Sequence, residues 1–394
     1  MTVPKLVMSL VSYGPTSGKT ETLSGHSTYQ MAPSEAQQHK GIIHLILHFR
    51  WTWIGLIIVD DERGERFQQA MLPLFSENGI CSAFIYTQPQ INFIEGYWDL
   101  MLKGWKDYDN VMRSKANAVV LFGDTATISF MRAGVELAKV GYTTAAFTGK
   151  VYIMTIQMDF TSYHYQRDWD KQILHGAISF TGHTNEPPGF QRFLRSRKPF
   201  MTPEDGYIRD FWEQAFLCHF SDSLEKMDFN EHCTGEEKLE SLPGDVFEIN
   251  MTGTSYSIYN AVYAVSYALH VLHLSLCGHR RTVKRKECNL FHQPWQLHHF
   301  LKSVSFNNSA GDTISFDANG QVAAGFDIVN WIAFPSESYY NVKIGEFHPE
   351  APADQMLTIN DDAITWNSHF NQEIMGPMAA DCGKSWSRLS GEGS

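Results

Sequence analysis

The residues with most chemistry to offer sit just beyond apolar runs. Ile54, Leu56, Ile57, Ile58 and Val59 lead directly into Asp60, Asp61 and Glu62, and Ala118–Phe122 (AVVLF) leads into Gly123, Asp124 and Thr125. An unbroken apolar run of this length reads as a strand buried on both faces. In open α/β sheets, ligands sit outside the carboxyl ends of such strands. Carboxylates and hydroxyls placed there suit reversible binding of a ligand. Catalysis is not indicated. His44 and His48 have the i, i+4 spacing of a metal-binding helix but lack the HExxH glutamate, and their neighbours are apolar. His292, His298 and His299 are the other candidate metal group. With no GxSxG, Walker A or GxGxxG motif and no nucleophile–base set, neither an enzyme nor a cofactor or metal site is expected.

Strand ends need a scaffold. Ser34–Phe49 carries Ile42, Ile43, Leu45, Ile46 and Leu47, and Ser34 with Gln37 or Gln38 is placed to cap its start. Gly64–Asn78 reads as a helix closed by Gly79, and Ile80–Tyr86 as the next strand. A helix from Tyr97 to Lys115 and another from Thr127 to Val140 follow, with short extended pieces at Ala145–Thr148 and Tyr152–Ile156. This alternation predicts βαβ units and a mostly parallel sheet. The texture then changes. Pro187-Pro188 marks a loop, and Tyr207–Phe220 and Tyr256–Leu276 read as helices. The stripe Tyr256, Tyr259, Tyr263 and Tyr267 reads as a packing face. A further helix starts in Trp295–Phe300. Ile314–Asp317, Gly325–Val329 and Trp331–Phe334 are expected as antiparallel strands, with turns at Asn319-Gly320 and Pro335.

The 394 residues suffice for two or three domains, and 43% hydrophobic with 19% charged residues is an ordinary globular composition. A formal net charge of −12 argues against a nucleic-acid surface. The basic run Arg280–Lys286 reads as a solvated loop. Six cysteines without a CxxC pair argue against a zinc ribbon or thioredoxin site. The sequons at Asn250 and Asn307 tilt the setting towards a secreted or lumenal one. Met1–Val11 has no signal-peptide apolar core. Gly41–Val59 and Ser257–Leu276 hold too many polar residues for membrane spans.

Many short runs, in order, carry a resemblance over nearly the whole chain: SYGPTS (12–17), YQMAPSE (29–35), HFRWTWIGLIIVDDERG (48–64), NAVVLFGDT (117–125), HGAISF (175–180), EPPGF (186–190), FWEQAFLCHF (211–220), CTGEEKLE (233–240), SYSIYNAVYAVSYALH (255–270), WQLHHFLKSVSFNNSAGDTISFD (295–317) and NDDAITW (360–366). As a set they resemble the extracellular ligand-binding region of class C G-protein-coupled receptors, most closely the vomeronasal type-2 receptors. The resemblance implies an α/β fold: a two-lobe Venus flytrap similar to type I periplasmic binding proteins, with lobe 1 incomplete. It divides the chain into the remainder of lobe 1 (1–60), the lobe-2 core (61–180), the end of lobe 2 with the return to lobe 1 and hinge crossings (181–335), C-terminal strands (336–374) and a divergent tail in place of a cysteine-rich domain (375–394). The match implies truncation at both ends, with signal peptide and seven-helix region absent.

By the same resemblance, Cys218 pairs with Cys233 and Cys277 with Cys288. Cys81 matches a cysteine whose partner lies in the cysteine-rich domain; that natural partner is expected to be lost, and Cys382 is the alternative partner, although its neighbourhood does not match. The family's amino-acid-binding turn falls at Tyr13–Ser17, which implies ligand contacts from Thr16 and Ser17. The acid on the ligand amine falls at Glu35, the capping aromatic at Arg63, and lobe-2 contacts at Asp124, Thr125 and Gly149. Gly14, Arg63 and Gly149 depart from the amino-acid-binding pattern, so a peptide or protein pheromone is favoured over a free amino acid. Bland readings stand beside these: a turn at Thr16 and Ser17, helix caps at Glu35 and Asp124, and an Arg63 paired with Asp60, Asp61 or Glu62.

The expected function is that of a pheromone-type chemoreceptor region at the extracellular side of the plasma membrane. Cleft closure on a peptide or small ligand is coupled to a G protein through the seven-helix region, in a homodimer or heterodimer. The alternatives are a soluble carrier of periplasmic-binding type and a receptor fragment without activity.

Overall fold

The computed structural model describes residues 8–12, 26–90, 111, 114–139, 149–158, 162, 166–169, 171–201, 205–220, 231–277, 296–334, 339–368 and 370. Strands β1 (Met8–Ser12) and β2 (His26–Gln30) pair in parallel. Helix α1 (Glu35–His48) begins at a reciprocal cap. The Gln37 N–H donates to Ser34 Oγ, and the Ser34 N–H donates to Gln37 Oε1. Ile42, Leu45 and Ile46 form its buried stripe. Strand β3 (Trp53–Val59) is buried at every position but the first, as an unbroken apolar run requires. Helix α2 (Glu62–Glu77) starts earlier than its apolar spacing implies, because Asp61 Oδ1 accepts the Gly64 N–H at 2.8 Å. It ends at Asn78, with Gly79 at a φ of 69°.

Strands β4 (Cys81–Gln88), β5 (Ala118–Phe122), β6 (Val151–Met154) and β7 (Ile178–Gly182) join β3 in a parallel run ordered β4-β3-β5-β6-β7, with helix α3 (Thr125–Lys139) following β5. Past β7 the chain leaves this sheet. It forms α4 (Phe190–Arg195), α5 (Gly206–Phe216), the short pair β8 (Cys218–His219) and β9 (Glu231–His232), then the long α6 (Gly253–Cys277). Next come α7 (Leu297–Leu301) and an antiparallel pair, β10 (Ser305–Asn307) and β11 (Thr313–Ser315). The chain then re-enters the sheet as β12 (Phe326–Ala333), antiparallel to β7, and extends it with β13 (Tyr339–Phe347) and β14 (Leu357–Ile359). The sheet is therefore eight-stranded and mixed: five strands form the expected parallel run, and β12, β13 and β14 add an antiparallel end.

The two strands expected over 325–329 and 331–334 are one strand, β12. Asn330, read as a break, is fully buried within it. Its Nδ2 donates to Ala177 O at 3.1 Å and its Oδ1 accepts the Thr365 N–H at 2.9 Å, so the polar residue is satisfied in place. Strand β3, which the sequence reading places at the end of its first segment, pairs on both sides inside the sheet.

Both sheet faces are covered. Leu56, Ile58, Val120, Ile153, Phe180 and Ile328 pack on one side with α1 and α2, and Ile57, Val119, Leu121, Tyr152 and Met154 on the other. A second body has its own core, in which Tyr29 and Met31 meet Ala264 and Ala268 of α6, Leu301 and Ile314. The tyrosine stripe of α6 is a packing face only in part: Tyr256 is buried, but Tyr263 and Tyr267 are exposed, with Tyr259 against Tyr263 (4.6 Å between ring centroids) and Tyr267 against Phe306 (5.9 Å). The chain passes between the sheet and the second body after Gln30, after Gly182 and before Phe326. The first and last crossings are laced together, with Gln30 N–H donating to Gly320 O and Val322 N–H to Gln30 O, each at 2.8 Å. The Cys218–Cys233 disulfide forms as implied, beside a small cluster of Trp212, Phe220 and Leu239. Cys81, expected to lack its natural partner, is disulfide-bonded. The proposed Cys277–Cys288 pair lies outside the described residues, because Cys288 does.

Candidate functional site

The carboxyl ends of the parallel strands form one polar edge. At the end of β3, Arg63 is held by two acids: its Nε donates to Asp61 Oδ2 at 2.7 Å and its Nη2 to Asp124 Oδ2 at 3.4 Å. The pairing with Asp61 matches the bland reading of Arg63. The bridge to Asp124 joins the β3 and β5 ends and was not legible in sequence. Gln90 Nε2 donates to Asp61 from the end of β4 at 3.3 Å. Burial works to raise the Asp61 carboxyl, but the Gly64 N–H, the Arg63 guanidinium and the Gln90 amide together hold it below the ordinary carboxylate range.

Asp124 also performs the capping role expected of it. Its Oδ1 accepts the Ala126 N–H at 3.0 Å, and its own N–H donates to Thr127 Oγ1 at 3.3 Å. Thr125 opens α3 beside it. Glu35, the first residue of α1, lies within the electrostatic reach of Arg66 and Arg63. Burial raises its carboxyl above the ordinary value against their pull. Glu35, Arg63, Asp124 and Thr125 are thus gathered at one edge. Thr16 and Ser17 lie outside the described residues. Gly149 is not at this edge. It immediately precedes β6, at the amino end of the sheet, where Lys150 Nζ donates to Ser114 O and Ala116 O. The carboxyl end of β6 carries Thr155 and Gln157 instead.

Between the ends of β3, β4 and β5 lies a cavity of about 220 Å³, lined by Val59, Gln88, Pro89, Gln90, Asp124 and Thr127. Gln88 is 2% exposed, and its Oε1 has no hydrogen-bond partner among the described residues. Thr155 Oγ1 and both amide atoms of Gln157 are also buried without a partner there. A buried polar group left unpaired costs about 1–3 kcal/mol, so each of these atoms calls for a partner beyond the described residues of this edge, a ligand or ordered water included. Sequence reasoning missed Gln88 and Gln90. The logic applied to β3 and β5 would have reached them had β4 been read to its end at Gln88 rather than stopped at Tyr86. Both sequon asparagines, Asn250 and Asn307, are exposed. No helix among the described residues is long and apolar enough to cross a membrane.

Residues 3–333 match the family described as receptor family ligand binding region. The chain is 29% identical over 371 residues to vomeronasal type-2 receptor 26 of Mus musculus, covering 93% of this chain and 41% of that protein. It is 22% identical over 375 residues to the extracellular calcium-sensing receptor of Homo sapiens, covering 89% of this chain and 33% of the receptor. It is 24% identical over 348 residues to metabotropic glutamate receptor 4 of Mus musculus, covering 84% and 34%. The chain therefore spans well under half the length of these relatives. Its fold is of the type I periplasmic-binding-protein kind, and by its match over most of its length the chain belongs to the receptor family ligand binding region.

Proposed function

We propose that this chain is the ligand-binding region of a chemosensory class C G-protein-coupled receptor, and that its ligand is held at the carboxyl edge of the sheet. In the whole receptor, closure of the two bodies on a pheromone-like peptide or small molecule is transmitted through a seven-helix region to a G protein. That receptor works as a homodimer or heterodimer at the extracellular side of the plasma membrane. The similarity to vomeronasal type-2 receptors supports the chemosensory assignment.

One observation carries the choice of site: the buried Gln88 Oε1, without a partner among the described residues, in a cavity that also presents Asp124 and Thr127. The cavity's unused capacity is that of an acceptor, and the guanidinium of Arg63 is engaged by Asp61 and Asp124. Both favour a ligand that brings donors, such as an amine or peptide N–H groups. The test is calorimetry and thermal shift on the purified chain with a panel of short amidated peptides and free amino acids, repeated on Gln88→Leu and Asp124→Asn. A binder is expected whose affinity drops about tenfold in Gln88→Leu, the loss of one good hydrogen bond, with the circular dichroism unchanged. Binding indifferent to both substitutions would place the site elsewhere. Absence of any binder would remove the reading.

A further inference from the structure

At the middle crossing, His183 stands between two carboxylates that belong to different bodies. Its Nδ1 is 3.1 Å from Asp327 Oδ1, at the start of β12 in the sheet, and its Nε2 is 3.4 Å from Asp312 Oδ2, in the turn before β11 of the second body. The other Asp327 oxygen accepts the Thr184 N–H at 3.2 Å. We propose that His183 is a proton-operated clasp across the hinge, closed when both ring nitrogens carry protons and released when one is lost.

Both the donor count and the charge of the ring change with the proton. A neutral imidazole has a single N–H, so it can satisfy one carboxylate while presenting a lone pair to the other. The imidazolium donates to Asp327, and its charge attracts Asp312 as an ion pair at 3.4 Å, so both bodies are held to one cation. The surroundings are specific. Lys343 Nζ of β13 is 2.8 Å from Asp327 and 2.7 Å from Glu346, and Glu346 in turn meets His348 at 2.9 Å. From α6, the ring of Tyr256 lies edge-on to His183 at 6.3 Å, and its hydroxyl donates to Asp312. Asn308 Nδ2 donates to that same hydroxyl, and Asn308 Oδ1 accepts the Asp312 N–H at 2.9 Å, so the second-body carboxylate is fixed in place. Three acids, Asp312, Asp327 and Glu346, face the single lysine, and Asp327 is almost wholly buried, so the protonated ring offsets negative charge there. The hydrogen bond to Asp327 is the main influence raising the imidazole above its ordinary value. Burial opposes it, the charges of Asp327 and Asp312 add to it, and Lys343 subtracts. The clasp is therefore fully closed below the ordinary imidazole range and opens as pH rises through the raised value.

The deciding experiment is amide hydrogen exchange at Thr184 and the neighbouring crossing residues of the full chain, normalised to intrinsic rates, from pH 5.5 to 8. The same chain's histidine resonances are titrated by NMR, with His183 assigned by through-bond correlation to its own backbone. Wild-type protection is expected to fall on the order of tenfold across this range, the size of one charge-assisted hydrogen bond. It should be flat with pH in His183→Gln. Asp312→Asn keeps the Tyr256 contact while removing the second-body charge, and it is expected to shift the His183 titration downwards. An unshifted titration in Asp312→Asn, or protection in wild type that does not depend on pH, would overturn the clasp. If His183→Gln does not fold, the Asp312→Asn titration decides alone. None of these readouts needs a ligand, so the outcome is separable from that of the proposed function.

Discussion

Lys171 Nζ lies 3.1 Å from Asp245 Oδ1, with the two side chains 3% and 1% exposed. This is an ion pair sealed between the segment that precedes β7 and the loop that precedes α6. The Ser162 N–H also donates to Asp245 O, at 2.8 Å, so the loop is anchored by backbone and side chain together. Removing one partner of a buried pair strands the other charge, which costs about 3–5 kcal/mol, whereas replacing both with apolar residues of similar size is often neutral. Asp245→Ala is therefore expected to lower the urea midpoint sharply, and Lys171→Met with Asp245→Leu to restore much of it. Additive losses in the double variant would show that the pair itself does not matter.

His39 on α1 makes a different prediction. It is buried edge-on against Phe67, 5.1 Å between ring centroids, and burial pushes its imidazole down to about 4. A base whose folded value is depressed binds its proton more readily when unfolded. Its contribution is complete above the ordinary value near 6.5 and is lost as pH falls towards 4. The loss amounts to about 3 kcal/mol at 1.36 kcal/mol per unit. His39→Leu should flatten this acid limb in a series of urea melts. A wild-type curve no steeper than the variant's between pH 6.5 and 4 would contradict the burial argument.

Gly64 sits where α2 closes over the end of β3. A Cβ there would fall 2.0 Å from Val59 O, a backbone atom that cannot rotate away. Gly64→Ala must push the first turn of α2 outwards and break the Asp61 cap, at about 1–3 kcal/mol for overpacking with a further ~1 kcal/mol for the cap. Because Asp61 also orients Arg63, ligand binding at the edge should weaken with stability. A variant that loses stability but binds with unchanged affinity would separate the cap from the site.

The Cys218–Cys233 bridge joins residues 15 apart in sequence. Closing a loop of that size is worth about 3 kcal/mol through the unfolded chain. Just beyond Cys233 the chain is also fastened to α5, where Glu237 accepts from Trp212 Nε1 and from the Thr234 N–H, each at 2.6 Å. Cys218→Ala with Cys233→Ala should therefore lower stability while the Trp212 environment, followed by fluorescence, keeps its native signature. Exposure of Trp212 in the native state of that variant would show that the bridge positions the loop as well as stabilising it.

How much was readable from sequence depended on how local each determinant is. The cap of Ser34 on Gln37, the buried run of β3, the glycine ending α2 and the polar residues after β3 and β5 were all legible, because hydrophobic periodicity and capping chemistry act over a few residues. The family motifs carried the Cys218–Cys233 pairing and the class of fold. Tertiary structure alone decided the rest. Asn330 reads as a strand break until Ala177 and Thr365 are brought to its amide. Gly149 reads as a cleft residue until strand direction sends it to the opposite edge. Arg63 reaches Asp124 across 61 residues, and His183 reaches Asp327 across 144. Such long-range polar contacts leave no periodic trace, because a hydrogen bond depends on where the fold brings two side chains together and not on their spacing along the chain.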